Sequence, residues 1–289
     1  MLPRRGTPHQ NETFDLSETG LHCLCDSLGI SDCRNRDWES ITDLKRIKLT
    51  VAYDGTNYHG FQDQNNGTTI EGELKKAIRS LLGKETEVIG ASRTDAGVHA
   101  RGNVAVFDTE SRIPGEKFSY ALNQRLPEDV IIQDSCEVTA DFHPRHCECR
   151  KTYEYTILNR TFPLPEYRNT AFFCYGDLDV ERMDQAAKQF VGEHDFAAFC
   201  SAGAQVQSTV RTIYSATVER EQPEVIRIRI RGNGFLYNMV RIIAGTLLEV
   251  GRGNLEVSKI ADIIASKDRA NAGPTAPAKG LKLMQIEYL

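Results

Sequence analysis

The chain has 289 residues, 40% hydrophobic and 26% charged, the mix of a globular protein with one large domain or two of about 150 residues each. No apolar run approaches the roughly 20 residues of a membrane span, and the two N-terminal arginines have no apolar stretch behind them, so neither a membrane helix nor a signal peptide is expected. The expected location is therefore the cytoplasm, with the eight cysteines as free thiols. The net charge of −5 is uneven: residues 1–44 carry four basic and eight acidic side chains, and the other 245 residues carry 31 and 32. Bulk charge neither announces nor excludes a nucleic-acid partner.

Residues 1–44 read as a polar N-terminal extension, flexible, with one short helix over 22–28. The spacing of His22, Cys23, Cys25 and Cys33 matches no standard zinc pattern. From Lys45 the pattern becomes globular. Alternation of Ile47, Leu49 and Val51 predicts a strand over 46–53, with a turn at Asp54-Gly55. Thr68-Thr-Ile-Glu71 has capping-box form, and Leu74, Ala77, Ile78, Leu81 and Leu82 follow at helical spacing up to Gly83. Short strands are expected over 87–91 and 102–107, a helix over 117–125, and a strand over 130–136. Strands follow over 149–158 and 171–174, then a helix over 180–191. Two strands over 210–220 and 224–231 meet at a Gln222-Pro223 turn. Apolar helices over 235–250 and 257–266 and a strand over 281–288 complete the chain. Strands joined through turns with interspersed helices give an α+β fold with largely antiparallel sheets. There is no phosphate-loop or dinucleotide fingerprint; Gly251-x-Gly253 follows a helix and is a cap.

Four features carry chemistry. Ala91-Ser-Arg-Thr-Asp-Ala-Gly-Val-His-Ala100 crowds Arg, Asp and His into a turn of small residues between two strands, either a ligand-facing loop or a turn in which Asp95 caps its own backbone. Arg241 lies in a segment apolar nearly all round and needs a buried partner. If that partner is a carboxylate, the guanidinium keeps it ionised with a low pKa, as a carboxylate nucleophile requires; the other reading is a structural ion pair. Tyr153 and Tyr155 share one strand face, as core or as a platform for an unpaired base. Arg227, Arg229 and Arg231 alternate with isoleucines, as a phosphate-binding or a solvated face. His143, His146, Cys147 and Cys149 satisfy no zinc spacing and read, with Arg145, Arg150 and Lys151, as a basic rim.

Tyr53-Asp-Gly-Thr-Asn-Tyr-His-Gly-Phe-Gln, Ser92-Arg-Thr-Asp-Ala-Gly-Val-His-Ala, Lys151-Thr-Tyr-Glu-Tyr, Gly234-Phe-Leu-Tyr-Asn-Met-Val-Arg and Gly273-Pro-Thr-Ala-Pro together resemble the tRNA pseudouridine synthase A (TruA) family in order and spacing over about residues 45–289. The family's usual Gly before the motif Arg is Ser92 here. Residues 1–44 have no counterpart in the family core. The resemblance implies the pseudouridine synthase fold: two α+β halves, here 45–148 with the Arg-Thr-Asp motif and 149–289 with the Tyr and Phe-Leu-x-x-x-Val-Arg motifs. The halves share an extended central sheet and flank a cleft. It implies a cofactor-independent, metal-free homodimer that isomerises uridine to pseudouridine in the tRNA anticodon stem-loop, typically at positions 38, 39 and 40. Residue by residue it implies Asp95 as the catalytic nucleophile, Arg241 as its ion-pair partner, and Tyr153 against the target uracil for stacking or proton transfer. Arg93 is implied to help displace the base and Leu236 to frame the pocket, with Thr94 and His99 at the substrate. His99 can equally be structural. Two other readings remain open, a tRNA-binding folding chaperone without turnover and the same chemistry on another RNA.

Overall fold

The computed structural model describes residues 44–64, 67–203 and 206–289. The extension, its short helix and the His22–Cys33 grouping lie outside these, apart from Leu44. Where isoleucine, leucine and valine alternate with polar residues the chain extends, and three such runs set the sheet: β1 (Lys45–Tyr53), β5 (Cys149–Asn159) and β9 (Val225–Gly232). In β9, Ile226, Ile228 and Ile230 are wholly buried while the arginines between them face the opposite side. The remaining strands are β2 (Ile89–Gly90), β3 (His99–Thr109), β4 (Val130–Val138), β6 (Phe172–Cys174), β7 (Gly192–Asp195), β8 (Val210–Gln222) and β10 (Leu281–Tyr288). Among the described residues they form one sheet in the order β4-β1-β3-β10-β5-β9-β8-β7, with β2 added on β3 and β6 on β5. All pairings are antiparallel except β10 with β3 and β6 with β5.

The last strand makes the joint that matters for function. β10 lies between β3 and β5, and it touches β3 through only Lys282–His99 and Leu283–Ala100. One lateral row therefore runs Tyr53, Ala100, Leu283, Tyr153 and Ile230 across five strands, all on the buried face. That row brings the start of β3, just after the Arg-Thr-Asp loop, level with Tyr153.

Five helices were assigned among the described residues: α1 (Ile70–Leu82), α2 (Phe118–Asn123), α3 (Val180–Lys188), α4 (Met239–Gly251) and α5 (Lys259–Ser266). α1 is stopped by Gly83 in a left-handed conformation (φ 73°), as expected. Its N-cap is Thr69, one residue later than the capping-box pattern suggested; the Thr69 hydroxyl accepts from the Gly72 N–H. Glu71 is therefore not at the third helical position and instead accepts from the Asp63 N–H and pairs with Lys75 at 2.8 Å. α4 begins at Met239 rather than Phe235, because Asn238 adopts φ 60° and breaks the run. The expected 180–191 helix ends at Lys188, and the short strand β7 follows it unannounced; Gly-Glu-His-Asp shows no apolar alternation that could predict it.

The arginine face is not free for phosphate. Glu154, 2% exposed, pairs with Arg227 and with Arg229; Glu221 pairs with both, Arg229 also approaches Glu219, and Arg231 pairs with Glu287. A carboxylate buried this deeply needs such partners.

Gly245 of α4 packs against the 273–277 segment so closely that a Cβ there would lie 1.7 Å from the Pro274 carbonyl oxygen. In a helix interior Gly→Ala ordinarily stabilises by about 1 kcal/mol. Here Gly245→Ala is expected to lower the thermal midpoint, and differential scanning calorimetry that finds it raised contradicts the close approach.

Candidate active site

The loop 92–98 that carries Asp95 is shaped from beneath by the 54–61 segment. Phe61 N–H donates to the Thr94 carbonyl at 3.1 Å, and Gly97 N–H to the Tyr58 carbonyl at 3.3 Å. Gly60, at φ 93°, leaves room for this contact; a Cβ there would lie 2.5 Å from the Thr94 oxygen. This close approach, in a left-handed conformation, is why the Tyr53–Gln62 motif ends in glycine and an aromatic. Above the loop, Tyr53 Oη and Thr94 Oγ1 share a 2.7 Å hydrogen bond, and Asn103 Nδ2 donates to Tyr53 Oη at 3.2 Å and to the Ser92 carbonyl at 3.1 Å.

Two of the expected substrate contacts are used inside this scaffold. Thr94 is 7% exposed and its hydroxyl is engaged by Tyr53. His99 is 2% exposed; its Nδ1 accepts from the Gly55 N–H at 3.1 Å and lies 3.1 Å from Asp54 Oδ1, while its Nε2 faces the Asn169 carbonyl at 2.8 Å and the Lys279 carbonyl at 3.2 Å. These partners make His99 a cross-link between three loops. Neither side chain presents a free polar atom to substrate. Arg93 does: it is exposed and forms no ion pair among the described residues.

Arg241 reaches Asp95 from α4, across 146 positions of sequence. Its Nε donates to the Ala276 carbonyl at 2.7 Å and its Nη1 to Asn238 Oδ1 at 2.7 Å, whereas the contact with Asp95 Oδ2 is a single 3.4 Å approach. The left-handed turn at Asn238 aims its amide at the guanidinium, and its Nδ2 is anchored on Ser201 Oγ at 3.0 Å. The expected effect on Asp95 is overturned. Its carboxyl is 27% exposed, and burial pushes its pKa above the ordinary 3.8, with Arg241 opposing but not cancelling that rise. A looser, single-contact pair gives less Coulombic compensation than a bidentate one.

Tyr153 stands on β5 with its ring edge-to-face on Phe235 at 5.2 Å between centroids; it is 8% exposed, and Leu236 is 5% exposed. Burial raises the Tyr153 phenol, the Tyr53 and Asp95 groups add to the rise, and a hydrogen bond with Ser92 opposes it. The proton therefore stays on the phenol over a wide pH range. Tyr155 is core: its ring is wholly buried and its Oη donates to the Pro277 carbonyl at 2.9 Å.

The 273–277 segment binds these parts together. Gly273 N–H donates to Thr246 Oγ1 at 2.9 Å, Ala276 receives Arg241, and Pro277 receives Tyr155. Asn238, Ser92, Lys151 and Ala276 are site residues that sequence reasoning did not assign. Lys151 had a signal in its two-residue offset from Tyr153; Ala276 acts through a backbone carbonyl, Asn238 from a left-handed residue, and Ser92 through its hydroxyl and carbonyl. Arg145 donates to the Gly90 carbonyl at 2.7 Å, consistent with a basic rim at the loop's start. Among the described residues no group of three His, Cys, Asp or Glu side chains converges on a possible metal position, and no helix is long and apolar enough to cross a membrane.

Because the folded-state pKa of Asp95 is raised, ionising it costs stability at every pH above its folded value, and the cost vanishes below the ordinary carboxylate value. Asp95→Asn is thus expected to raise the thermal midpoint at pH 7 and to lose that gain near pH 3. A variant that melts lower than wild type at pH 7 would show that attraction to Arg241 outweighs burial.

The sequence profile of the tRNA pseudouridine synthases matches residues 49–146 and 186–289, spans that contain Asp95, Leu236 and Arg241, with Tyr153 between them. The chain is 51% identical over 245 residues to the tRNA pseudouridine synthase A of Ruminiclostridium cellulolyticum and 49% identical to that of Acetivibrio thermocellus, in each case over 85% of this chain and 100% of the relative. It is 46% identical over the same shares to the protein of that name from Brevibacillus brevis. With a matching profile over most of its length and relatives covered from end to end, this chain belongs to the tRNA pseudouridine synthase family.

Proposed function

We propose that this chain isomerises uridine to pseudouridine in the anticodon stem-loop of tRNA, at the three positions named above, with Asp95 as the reacting carboxylate. The observation that carries the reading is the meeting of a partly exposed carboxylate, a guanidinium held by other partners, and an aromatic ring from three separate elements. In the reaction the C1′–N1 bond breaks, the uracil turns, C5 bonds to C1′, C5 loses its proton and N1 gains one. The atoms balance without a co-reactant.

The target uridine has to leave the stack, which costs a few kcal/mol. Arg93, exposed and unpaired, can occupy the space it leaves. The ionised Asp95 then adds to C6, adds to C1′, or removes the C2′ proton. Each route needs an ionised carboxylate with an oxygen that is not locked in a two-point ion pair. Tyr153 supports the base, and Leu236 with Phe235 supplies the apolar wall that retains the detached uracil between steps. The halves 45–148 and 149–289 are proposed as the two sides of the cleft. A homodimer in the cytoplasm completes the reading, on the resemblance alone, and light scattering on the purified protein tests the dimer.

The test uses unmodified tRNA transcripts with tritium at C5 of single anticodon-arm uridines. Wild type is expected to release label and Asp95→Asn to lose at least about 10³-fold in turnover. A general base contributes about 10²–10⁴-fold, so Tyr153→Phe within about tenfold of wild type assigns the ring to stacking, and a larger loss assigns the proton to the phenol. Binding without release by wild type would turn the reading to a chaperone, and release only from other transcripts would turn it to another RNA.

A further inference from the structure

Lys151 and Tyr153 lie two residues apart on β5 and so share one face of the sheet. The Lys151 ammonium turns toward the segment leading into the Arg93-Thr94-Asp95 motif, donating to the Ala91 carbonyl at 3.0 Å and to Ser92 Oγ at 2.9 Å. The same segment is gripped on either side: Arg145 Nε takes the Gly90 carbonyl at 2.7 Å, and Asn103 Nδ2 takes the Ser92 carbonyl at 3.1 Å. Three consecutive carbonyls thus each meet a side-chain donor. Only the middle donor comes from the strand that carries Tyr153.

We propose that Lys151 is a positioning residue for the isomerisation, fixing the Asp95 loop against Tyr153 through the Ala91 carbonyl and the Ser92 hydroxyl. The inference rests on the reading of Asp95 and Tyr153 as the reacting pair. Asp95 sits on a loop and Tyr153 on a strand, and the sheet joins those elements only through the two-residue contact of β10 with β3. A second, direct tie sets their spacing. The Ser92 hydroxyl extends that tie, because it accepts from the same ammonium one residue further along the loop. Lys151 forms no ion pair among the described residues; burial lowers its pKa, the Cys149 thiol opposes this, and Arg145 and Arg211 add to the lowering. An ammonium kept in such surroundings is held by its hydrogen bonds to the loop rather than by a counter-ion.

The test compares wild type, Lys151→Met, Ser92→Ala and the double variant by amide hydrogen exchange of the 90–98 peptide and by tritium release from C5-labelled tRNA. Methionine keeps an unbranched stem of similar length and removes the donor. Lys151→Met is expected to speed exchange of the loop about tenfold or more, as expected when a local tether is lost. Its kcat is expected to fall roughly 10- to 100-fold, the scale of a 1 Å misplacement. KM is expected to stay within about threefold, because binding in the ground state is unchanged. The double variant is expected to match Lys151→Met alone, since Ser92 acts through the same ammonium. Unchanged loop exchange overturns the proposal whatever the turnover. A raised KM with unchanged kcat also overturns it, making Lys151 a substrate-binding cation, and additive losses overturn the link through Ser92. Faster exchange in the variant with no turnover by wild type keeps the tether and sinks the isomerase reading. If Lys151→Met does not fold, Ser92→Ala decides alone: faster exchange with lower kcat supports the tether, and neither change overturns it.

Discussion

The single approach between Arg241 and Asp95 organises this protein. It joins a loop after β2 to a helix near the end of the chain, and the bonds that hold the guanidinium are not the ones to the carboxylate. The Ala276 carbonyl and the Asn238 amide take the two short contacts at 2.7 Å, and Asp95 is left with one at 3.4 Å. A symmetrical fork onto the carboxylate would hold it more firmly ionised and also occupy both of its oxygens. Here the cation is fixed in advance, while the carboxylate keeps an accessible oxygen and a raised affinity for a proton. The arrangement resembles a preorganised electrostatic site, in which the supporting charge stays put while the reacting group changes.

Much of the remaining structure serves that geometry. The 273–277 segment passes over α4 closely enough to require Gly245 and delivers the Ala276 carbonyl to Arg241. Gly60 lets the 54–61 segment press on the Thr94 carbonyl, so the Asp95 loop is supported from below by backbone rather than by mobile side chains. Placing β10 between β3 and β5 sets Tyr153 in the same lateral row as the start of β3. The ion pairs around Glu154 lie on the other face of the sheet and engage its arginines without entering the site.

The strands with alternation, β1, β5 and β9, were legible because a period of two is visible in residue type alone. The Asp95 loop was legible for a different reason: Arg, Asp and His among small residues have no packing explanation. What escaped was decided by backbone conformation or by distant partners. The left-handed Asn238 moved the start of α4 by four residues, although the apolar pattern runs on through Phe235 and Leu236. β7 exists because β8 offers it an edge, not because Gly-Glu-His-Asp prefers extension. Thr94 and His99 looked like substrate contacts from their place in the motif, but their polar atoms are spent on Tyr53 and on backbone groups up to 180 positions away. The pKa direction of Asp95 was misjudged because sequence shows that an arginine is present, not that its short bonds go elsewhere.

The most direct measurement is a carbon-13 NMR titration of the Asp95 carboxyl in the wild-type protein and in Arg241→Met. The account predicts a wild-type pKa above the ordinary aspartate value and a further rise in the variant, since burial is the larger influence and Arg241 the opposing one. A wild-type value below the ordinary one, or one that does not move when Arg241 is replaced, would contradict it.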